Sequence, residues 1–449
     1  MRICFAVHRF PPASWGGTEL YTLRLAQAVQ AQGHEVCVLT YEPGTTEAAT
    51  VRTDRFADLE VVRLSLDLSR ADNPIAEEYD NPRLAQEVRA LWGGAKPDLL
   101  HVTHLGYLST SILALAQELG IPYVVTLTDM WALCPNGLLL RGDGHLCQGP
   151  EDRGECLRCY ARMGPRGMRY GFIRAIPAWA WREAIALAGK TALGRWRYGR
   201  WLRAIEERHR VIRRRLEGAE ALISPGAFLR EMLARNGYPE GRILLSPHGI
   251  IAPQTLRRPE PVGTEPRLRF GYIGPLEPHK GAHLPLEALA LLSPGVATLA
   301  YWGPRPAEHA ATPYARRILR RLARTPGASH QGRFTPEKAP AILASMDVLI
   351  VPSLCYENTP TVIYEALASG TPVIASDQGG MRELVQTYRG GWLFPRGDAQ
   401  ALARLMAQLA ADREALRRAA EAILPVPDFA AHIEQLSQLY RNLWLPQEG

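Results

Sequence analysis

The chain has 449 residues, 47% of them hydrophobic and 22% charged, and a formal net charge of +7. This globular composition supplies ample material for a core, and the length predicts two domains rather than one. The first eight residues form too short an apolar run for a signal peptide, and no stretch is apolar over the length needed to cross a bilayer. With seven cysteines and no export signal, we expect a cytoplasmic protein in a reducing compartment.

Strand and helix signals alternate along the N-terminal half. Apolar runs predict strands at 3–8, 35–40, 61–64, 98–102, 123–127, 221–224 and 243–245, and apolar spacing at 18–32 predicts a helix. This rhythm is typical of a parallel sheet with helices on both faces. We therefore predict a Rossmann-like N-terminal domain over residues 1–250.

A proline-rich stretch, 251–266, follows and is predicted to be an interdomain linker. The alternation then restarts, with strands predicted at 268–273, 298–302, 348–351 and 372–375 and helices at 282–292, 314–324, 339–344, 361–369 and 399–408. This predicts a second Rossmann-like domain over 267–425, and a last helix within 426–449 that packs back on the first domain. The expected fold class is α/β, with two doubly wound domains facing a central cleft at the carboxyl ends of their strands.

Two carboxylates, Glu357 and Glu365, stand eight positions apart around a loop that becomes a helix. The N-terminus of a helix offers unpaired N–H groups and a positive dipole end, which suit a phosphate. Carboxylates on either side suit hydroxyl groups, and a sugar nucleotide presents a diphosphate with hydroxyls on both sides of it. The pattern therefore predicts a site for a nucleotide-sugar and, with it, glycosyl transfer.

A second segment has the chemistry of an anion site: a strand, a tight turn containing Gly274, and Lys280 just before a helix. Glycine lets the backbone approach an anion closely, and the lysine supplies a neutralising charge. The alternative is an ordinary strand–helix turn with a surface lysine. The two glutamates downstream, Glu357 and Glu365, favour the anion site.

Over nearly its whole length the chain resembles the retaining glycosyltransferases of the GT-B fold in family 4. The resemblance rests on Gly16-Gly17-Thr18-Glu19, the Lys280 turn, the spacing of Glu357 and Glu365, and Asp377-Gln378-Gly379-Gly380 followed by Glu383. It implies that Glu365 binds the donor ribose, that Glu357 faces the transferred sugar, and that backbone amides at 359–362 hold the diphosphate. The donor-binding residues that it implies are Gly16, Gly17, Gly274, Lys280, Arg333, Phe334, Asn358, Thr359, Pro360, Thr361, Val362 and Glu365.

The chain departs from the family pattern in two places. Pro275 stands where family members often carry an arginine, which leaves Lys280 as the main phosphate cation. Thr128 stands where they usually carry a histidine before Asp129, so the catalytic candidates besides Glu357 are Asp129 and His104. The alternative for these two is a structural role, which is the commoner one for a lone histidine or aspartate at a cleft edge.

The resemblance also implies a mechanism. The acceptor hydroxyl attacks on the face that the nucleotide leaves, without a covalent enzyme intermediate, so the protein positions the reactants and stabilises the diphosphate. No Asp-x-Asp motif lies near the donor loops, and no catalytic metal is expected. The alternatives to a transferase are a sugar-nucleotide epimerase and a non-catalytic scaffold in an envelope-assembly machine.

Four cysteines lie in the glycine-rich segment 134–159: Cys134, Cys147, Cys156 and Cys159, separated by 12, 8 and 2 residues. Four thiolates that include one Cys-x2-Cys pair match a structural zinc site, which would order such a loop. Free thiols are the next alternative and disulfides the last.

The segment 160–215 carries 15 Lys or Arg against three Glu and is rich in tryptophan and tyrosine. Aromatic rings among cations suit the headgroup region of an anionic membrane. One alternative is a solvated helix over 200–216 whose tryptophans pack on the domain. Another is nucleic-acid binding, which no accompanying nucleic-acid fold supports. We predict peripheral contact with the inner face of the membrane, which fits a lipid-linked or other envelope glycan as acceptor.

Overall fold

The computed structural model describes residues 1–46, 48–150, 152–163, 171–191, 197–250, 266–304 and 312–444, except the side chains of residues 69, 162, 163, 197 and 198. The chain forms two compact units. Unit 1 comprises Met1–Pro247 and His432–Gly449, and unit 2 comprises His248–Ala431. Of the linker predicted at 251–266, residues 251–265 lie outside the described residues.

The described part of unit 1 contains eight strands: β1 (Arg2–Val7), β2 (Glu35–Pro43), β3 (Thr50–Phe56), β4 (Leu59–Leu66), β5 (Leu99–Val102), β6 (Tyr123–Thr126), β7 (Ala221–Ser224) and β8 (Ile243–Leu245). They form one sheet in the order β3-β4-β2-β1-β5-β6-β7-β8. Strand β3 runs antiparallel to β4, and the other neighbours are parallel. The chain moves outward in opposite directions from β1 and β5. Ligands bind at such a reversal point, beyond the carboxyl ends of the strands.

Nine helices accompany this sheet among the described residues: α1 (Gly17–Ala31), α2 (Pro74–Tyr79), α3 (Pro82–Gly94), α4 (Ser111–Glu118), α5 (Arg153–Met163), α6 (Gly171–Ala175), α7 (Ala178–Lys190), α8 (Arg197–Glu217) and α9 (Ala227–Arg235). Local sequence explains where several begin. Helix α3, for example, starts at a proline, and the Asn81 side chain accepts a hydrogen bond from Leu84 N (3.3 Å).

Unit 2 has six strands in its described part: β9 (Leu268–Ile273), β10 (Ala297–Trp302), β11 (Ala328–Gly332), β12 (Val348–Val351), β13 (Val373–Ser376) and β14 (Gly391–Phe394). Their order is β11-β10-β9-β12-β13-β14, and every pairing is parallel. This is the strand order of a Rossmann sheet, with its reversal point between β9 and β12. The helices are α10 (Leu284–Leu289), α11 (Pro313–Arg324), α12 (Ala339–Ala344), α13 (Thr361–Ala368), α14 (Gly379–Thr387), α15 (Ala399–Ala411) and α16 (Arg413–Glu421).

The last helix, α17 (Phe429–Trp444), returns the chain to unit 1. Its buried His432 shares hydrogen bonds with Tyr21 Oη and Ser246 Oγ, both at 2.8 Å. Its Tyr440 hydroxyl bonds His101, which is buried in β5. Burial lowers the pKa of His101 to about 3 and that of His432 to about 4, so both rings are neutral at physiological pH.

The predicted fold class, α/β with two doubly wound Rossmann-like domains, is confirmed by these two sheets. Three edge strands, β3, β11 and β14, were missed by the sequence prediction. The exposed and half-buried residues of β3 alternate without an apolar face, and it joins β4 through Ala57 and Asp58, both with positive φ. Edge strand β11 is likewise polar. Among the described residues, no helix has both the length and the apolar character needed to cross a membrane.

Candidate functional site

The loops that leave β9 and β12 meet at the reversal point of the unit 2 sheet. Leu354 N donates a hydrogen bond to the carbonyl oxygen of His279 (2.7 Å). Gly281 has a φ of 66°, and a Cβ on it would lie 2.0 Å from the carbonyl oxygen of Pro352. Because only glycine fits there, the sequence allows the turn after β9 to approach the chain leaving β12.

An ion pair joins these two loops. Lys280 Nζ lies 2.7 Å from Glu357 Oε1, and Ser353 Oγ donates to the same oxygen at 2.7 Å. Burial would raise the pKa of Glu357, but the charge and hydrogen bond of Lys280 hold it below its ordinary value. Burial would likewise lower the pKa of Lys280, and Glu357 raises it above its ordinary value. Both side chains are therefore charged at neutral pH.

The second carboxylate oxygen of Glu357 remains available to a ligand. All the hydrogen bonds that the described residues make to this side chain end on Oε1. The residue lines a cavity of about 70 Å³ together with Gly274, Lys280, Pro360 and Val362, which are all predicted donor-binding residues. The structure thus brings these five predicted residues to one place.

Gln378 clamps the loop that carries Glu357. Its buried side-chain amide donates to the carbonyl oxygens of Ser353 (2.9 Å) and Cys355 (2.7 Å). Nearby, Gly380 N donates to the carbonyl oxygen of Glu357 (3.0 Å). These bonds set the loop conformation and, through it, the direction of the carboxylate.

Helix α13 begins at the end of this loop, with Pro360 as its N-cap residue. Asn358 and Thr359 are buried, whereas Thr361 and Glu365 are half-buried. Glu365 follows Thr361 by four residues, so both lie on one face of the helix. The helix therefore presents its free N–H groups and, one turn later, a carboxylate.

Two predicted donor residues lie elsewhere in unit 2. Arg333 and Phe334 follow the edge strand β11, and neither lines the cavity beside Lys280. Arg333 is exposed, and the Phe334 ring packs edge-on against Trp302 with centroids 6.3 Å apart. Any contact of these side chains with a nucleotide base stays a prediction.

The reversal point of the unit 1 sheet holds the second group of candidates. His104, just beyond β5, shares a hydrogen bond through Nε2 with Asp129 Oδ2 (3.0 Å), and its Nδ1 accepts from Gly106 N (2.9 Å). Burial alone would lower the pKa of His104, but the charge and hydrogen bond of Asp129 raise it above its ordinary value. His8, just beyond β1, packs its ring 4.1 Å from that of His104. Burial and His104 keep the pKa of His8 well below its ordinary value.

Gly16 and Gly17 start α1 on the same unit. A Cβ on Gly16 would lie 2.4 Å from Glu19 Oε2, whereas one on Gly17 would meet nothing within 4 Å. Glu19 is buried, accepts a hydrogen bond from Ser14 Oγ (2.5 Å) and lies 3.8 Å from His8 Nε2. A packing requirement therefore accounts for Gly16, while Gly17 stays open to a ligand.

Thr128 stands where the family usually has a histidine, and its side chain forms a hydrogen bond with the backbone. Its hydroxyl donates to the carbonyl oxygen of Thr103 (3.0 Å), and the next residue, Asp129, accepts from Trp131 N (2.8 Å). In this chain the imidazole beside Asp129 comes from His104 instead. Sequence reasoning named His104 and Asp129, but it missed His8 by placing it inside the first strand.

The four cysteines of segment 134–159 line one cavity of about 20 Å³. Two thiols donate elsewhere: Cys134 to Asn136 Oδ1 (2.8 Å) and Cys147 to the carbonyl oxygen of Gly149 (2.9 Å). Burial raises the pKa of Cys134 to about 11 and that of Cys156 to about 12, which favours neutral thiols. Within the described part of the chain, no three His, Cys, Asp or Glu side chains are arranged to hold a metal ion. The predicted zinc site is therefore not supported, and none of the seven cysteines forms a disulfide bond.

The aromatic residues of segment 160–215 divide into two groups. Trp201 is buried and its indole donates to the carbonyl oxygen of Asp72 (2.9 Å), so this tryptophan packs on the domain and does not face a membrane. Phe172 and Trp179, in contrast, are 54% and 63% exposed. Tyr170 and Trp196 lie outside the described residues, as does the side chain of Tyr198.

Solved structures and curated relatives resemble this chain. The structure of Anabaena Alr3699/HepE in complex with UDP matches with a TM-score of 0.62 and 16% identity, over 98% of this chain and 100% of that one. D-inositol 3-phosphate glycosyltransferase of Corynebacterium urealyticum is 33% identical over 202 residues, which is 40% of this chain and 44% of the relative. The putative colanic acid biosynthesis glycosyltransferase WcaL of Escherichia coli is 30% identical over 184 residues, 39% of this chain and 44% of the relative.

The matched part of the chain spans less than half the length of these two curated relatives. Two family profiles match a much larger part of this chain. The profile of "Glycosyl transferases group 1" matches residues 267–412, and that of "Glycosyltransferase Family 4" matches residues 15–252, more than half of the chain. With two Rossmann-like units and a polar site at the reversal point of each sheet, the chain belongs to glycosyltransferase family 4.

Proposed function

We propose that the chain is a retaining glycosyltransferase that moves a sugar from a nucleotide-sugar, bound by unit 2, to a glycan acceptor, bound by unit 1. The observation that carries this proposal is the Lys280–Glu357 pair beside the N-terminus of α13. A cation, free helix N–H groups and a carboxylate with one unoccupied oxygen match the diphosphate and the hydroxyls of such a donor.

Each part of the site has a role in this proposal. Lys280 and the N–H groups at the start of α13 hold the diphosphate, and Glu357 Oε2 accepts a hydrogen bond from a hydroxyl of the transferred sugar. Glu365, one turn into α13, accepts from the ribose hydroxyls. Gln378 keeps Glu357 aimed by fixing the carbonyl groups of its loop.

The reaction needs no group on the protein to form a covalent bond. The acceptor oxygen attacks the anomeric carbon as the bond to the phosphate oxygen breaks on the same face, and the departing phosphate oxygen takes the acceptor proton. The protein's task is to orient the two substrates and to offset the charge that grows on the diphosphate. We propose that Lys280 and the α13 amides do this without a divalent cation.

The acceptor is proposed to be a glycan or a lipid-linked glycan. One relative is described as a colanic acid biosynthesis glycosyltransferase, which supports a polysaccharide acceptor. The exposed side of α6 and α7, with Phe172, Trp179 and Leu187 beside cations such as Arg182, has the composition of a surface that docks on anionic lipid. Such docking would bring the chain to a lipid-linked substrate.

A donor screen tests the proposal. Thermal shift and calorimetry with UDP-, GDP-, ADP- and dTDP-sugars should find one nucleotide that binds, and Glu365→Ala should weaken binding of that nucleoside diphosphate about tenfold or more. Incubation of the preferred donor with an acceptor panel in EDTA should give a product whose anomeric configuration, read by NMR, equals that of the donor. An inverted product, or activity that EDTA abolishes and Mg²⁺ or Mn²⁺ restores, would contradict the proposed mechanism.

The same assay separates the alternatives. A sugar-nucleotide epimerase would change the configuration of the donor without transferring the sugar. A non-catalytic scaffold would neither hydrolyse nor transfer it. The charged Lys280–Glu357 pair favours an active site over a scaffold. A partly buried ion pair adds little net stability to a fold, because removing both charges from water offsets their attraction, so ligand binding explains the pair better than stability does.

A further inference from the structure

A large cavity in unit 1 is lined by His104 and Asp129 and extends well beyond them. Its volume is about 730 Å³, within the range of small-molecule sites. Its walls come from the segments that follow β1, β2, β4 and β5, and from residues 129–137. His104 and Asp129 are two of the 19 described residues that line this space, so most of its wall is available to the rest of an acceptor.

Arg9 enters this cavity from the segment after β1. Its guanidinium carbon lies 5.3 Å from the centroid of the Tyr107 ring, a cation–π contact. Tyr107 in turn stacks on the buried Tyr41, with centroids 5.3 Å apart and ring planes 20° apart. Tyr41 is fixed by a hydrogen bond from its hydroxyl to the carbonyl oxygen of Leu66 (2.9 Å). The two rings therefore form a rigid support beneath the arginine.

Tyr107 holds this position at a cost. Its φ is 65°, in the left-handed region that bulky residues seldom adopt, and its side chain is 40% exposed. Such strain persists where the surrounding structure enforces it, and it is concentrated at functional sites. The strained backbone places the ring under Arg9, so its effect is to hold the guanidinium against the cavity.

On the described cavity wall, the positive charge of Arg9 has no acidic side chain to balance it. Each acidic wall residue has a basic partner: Asp67 pairs with Arg70 (3.1 Å), Glu78 with Arg208 (2.9 Å) and Asp129 with His104 (3.0 Å). Arg9, by contrast, is exposed, and its side chain makes no ion pair or hydrogen bond with any described residue; its guanidinium lies over the ring of Tyr107. Its N–H groups are free for a ligand that carries negative charge.

We propose that Arg9 binds an anionic substituent, a carboxylate or a phosphate ester, on the acceptor sugar. The planar guanidinium can donate two parallel hydrogen bonds to either group. These bonds are stronger than those it would make to neutral hydroxyl groups. The inference rests on the proposed function in that it names the chemical class of the acceptor. It predicts that the enzyme glycosylates an acidic or phosphorylated sugar in preference to its neutral counterpart.

The test compares charged and neutral probes on the full-length protein. Calorimetry with glucose, glucuronate, glucose 6-phosphate and inorganic phosphate should show at least one charged sugar binding tenfold or more tightly than glucose. Arg9→Gln should remove that preference and Arg9→Lys should keep part of it, because lysine retains the charge but not the paired donors. Arg210→Gln, at an exposed arginine on α8, is the matched control and should change nothing.

The outcomes are separable from those of the donor screen. If no nucleotide binds, the proposed function fails. If a nucleotide binds but Arg9→Gln leaves the ratio of the affinities for charged and neutral sugars unchanged, the inference about the acceptor is wrong and the proposed function still stands. Inorganic phosphate binding as tightly as glucose 6-phosphate would also overturn it, because the site would then bind a free anion rather than a substituted sugar. Which of glucuronate and glucose 6-phosphate binds more tightly identifies the anionic group.

Discussion

Lys280 Nζ lies 2.7 Å from Glu357 Oε1, across 77 residues of sequence. The pair joins the loops after β9 and β12, and it keeps both side chains charged beside the start of α13. A diphosphate that binds here meets a lysine already paired with an acid. The lysine must therefore share its hydrogen bonds between the carboxylate and the phosphate.

Substitution of the two members of this pair should have different effects on binding and on turnover. Lys280→Met should weaken nucleoside diphosphate binding about tenfold or more and leave nucleoside binding nearly unchanged, because the proposed ligand contact that it removes is to the phosphate groups. Glu357→Gln should mainly lower kcat, because we propose that its second carboxylate oxygen binds the transferred sugar. Calorimetry and steady-state kinetics measure both. Glu287→Gln, on α10 and paired with Arg321, serves as the control; equal losses in all three variants would contradict the assigned roles.

Gly380 should tolerate no side chain. A Cβ there would lie 1.3 Å from the carbonyl oxygen of Asn358, so Gly380→Ala must displace the loop that carries Glu357. We expect a loss of about 1–3 kcal/mol in the free energy of unfolding and a larger relative loss of transfer activity. Urea denaturation and kinetics provide the readouts. Gly93→Ala, in helix α3 with nothing within 4 Å of the added atom, should retain stability and activity.

The His104–Asp129 pair predicts a pH dependence. The raised pKa of His104 means that its protonated form stabilises the fold below its ordinary pKa, and that this contribution is lost as the pH rises through the raised value. The lowered pKa of Asp129 means that its contribution is present above its ordinary pKa and is lost as the pH falls. The pair therefore stabilises the fold at pH values between the lowered pKa of Asp129 and the raised pKa of His104.

NMR titration of His104 measures this coupling. Asp129→Asn should lower the pKa of His104, because it removes the carboxylate charge and leaves burial. The shift should be moderate, because the Asp129 side chain is 41% exposed and solvent screens its charge. A pKa of His104 that is the same in both proteins would contradict the pairing.

The exposed aromatic residues of α6 and α7 predict lipid binding. Trp179→Ser should lower binding to vesicles that contain anionic lipid several-fold, because the indole is 63% exposed and available to the interface. Co-sedimentation measures the change. Trp444→Ser, at an indole that is 52% exposed on α17, is the matched control. Equal binding of wild-type protein to neutral and anionic vesicles would contradict the proposed docking.

Much of the fold could be predicted from the sequence because apolar runs mark the buried parallel strands. Strands such as β1 and β12 are buried over almost every residue and therefore appear as continuous apolar segments. The edge strands β3 and β11 lack that signal, since their stability comes from pairing with β4 and β10 rather than from burial of their own side chains.

The site was predictable where its residues are close in sequence. Glu357, Pro360 and Val362 share a loop and a helix start. The spacing of Glu357 from Glu365 indicated the first, and the family resemblance indicated the other two. The clamp by Gln378 was not predictable, because it depends on carbonyl groups 25 and 23 residues away. Arg9 carried no signal either, since its significance comes from the missing acidic partner and from the two tyrosine rings beneath it.

Helix α17 has a consequence for biosynthesis of the chain. The hydrogen bonds that it makes to Tyr21, His101 and Ser246 complete buried polar groups in the first half of the protein. Those partners leave the ribosome only after nearly all of unit 2 has been made, because α17 follows it in the chain. The N-terminal unit therefore begins to fold first and finishes last, and removing α17 would take a hydrogen-bond partner from each of three buried side chains in its interior.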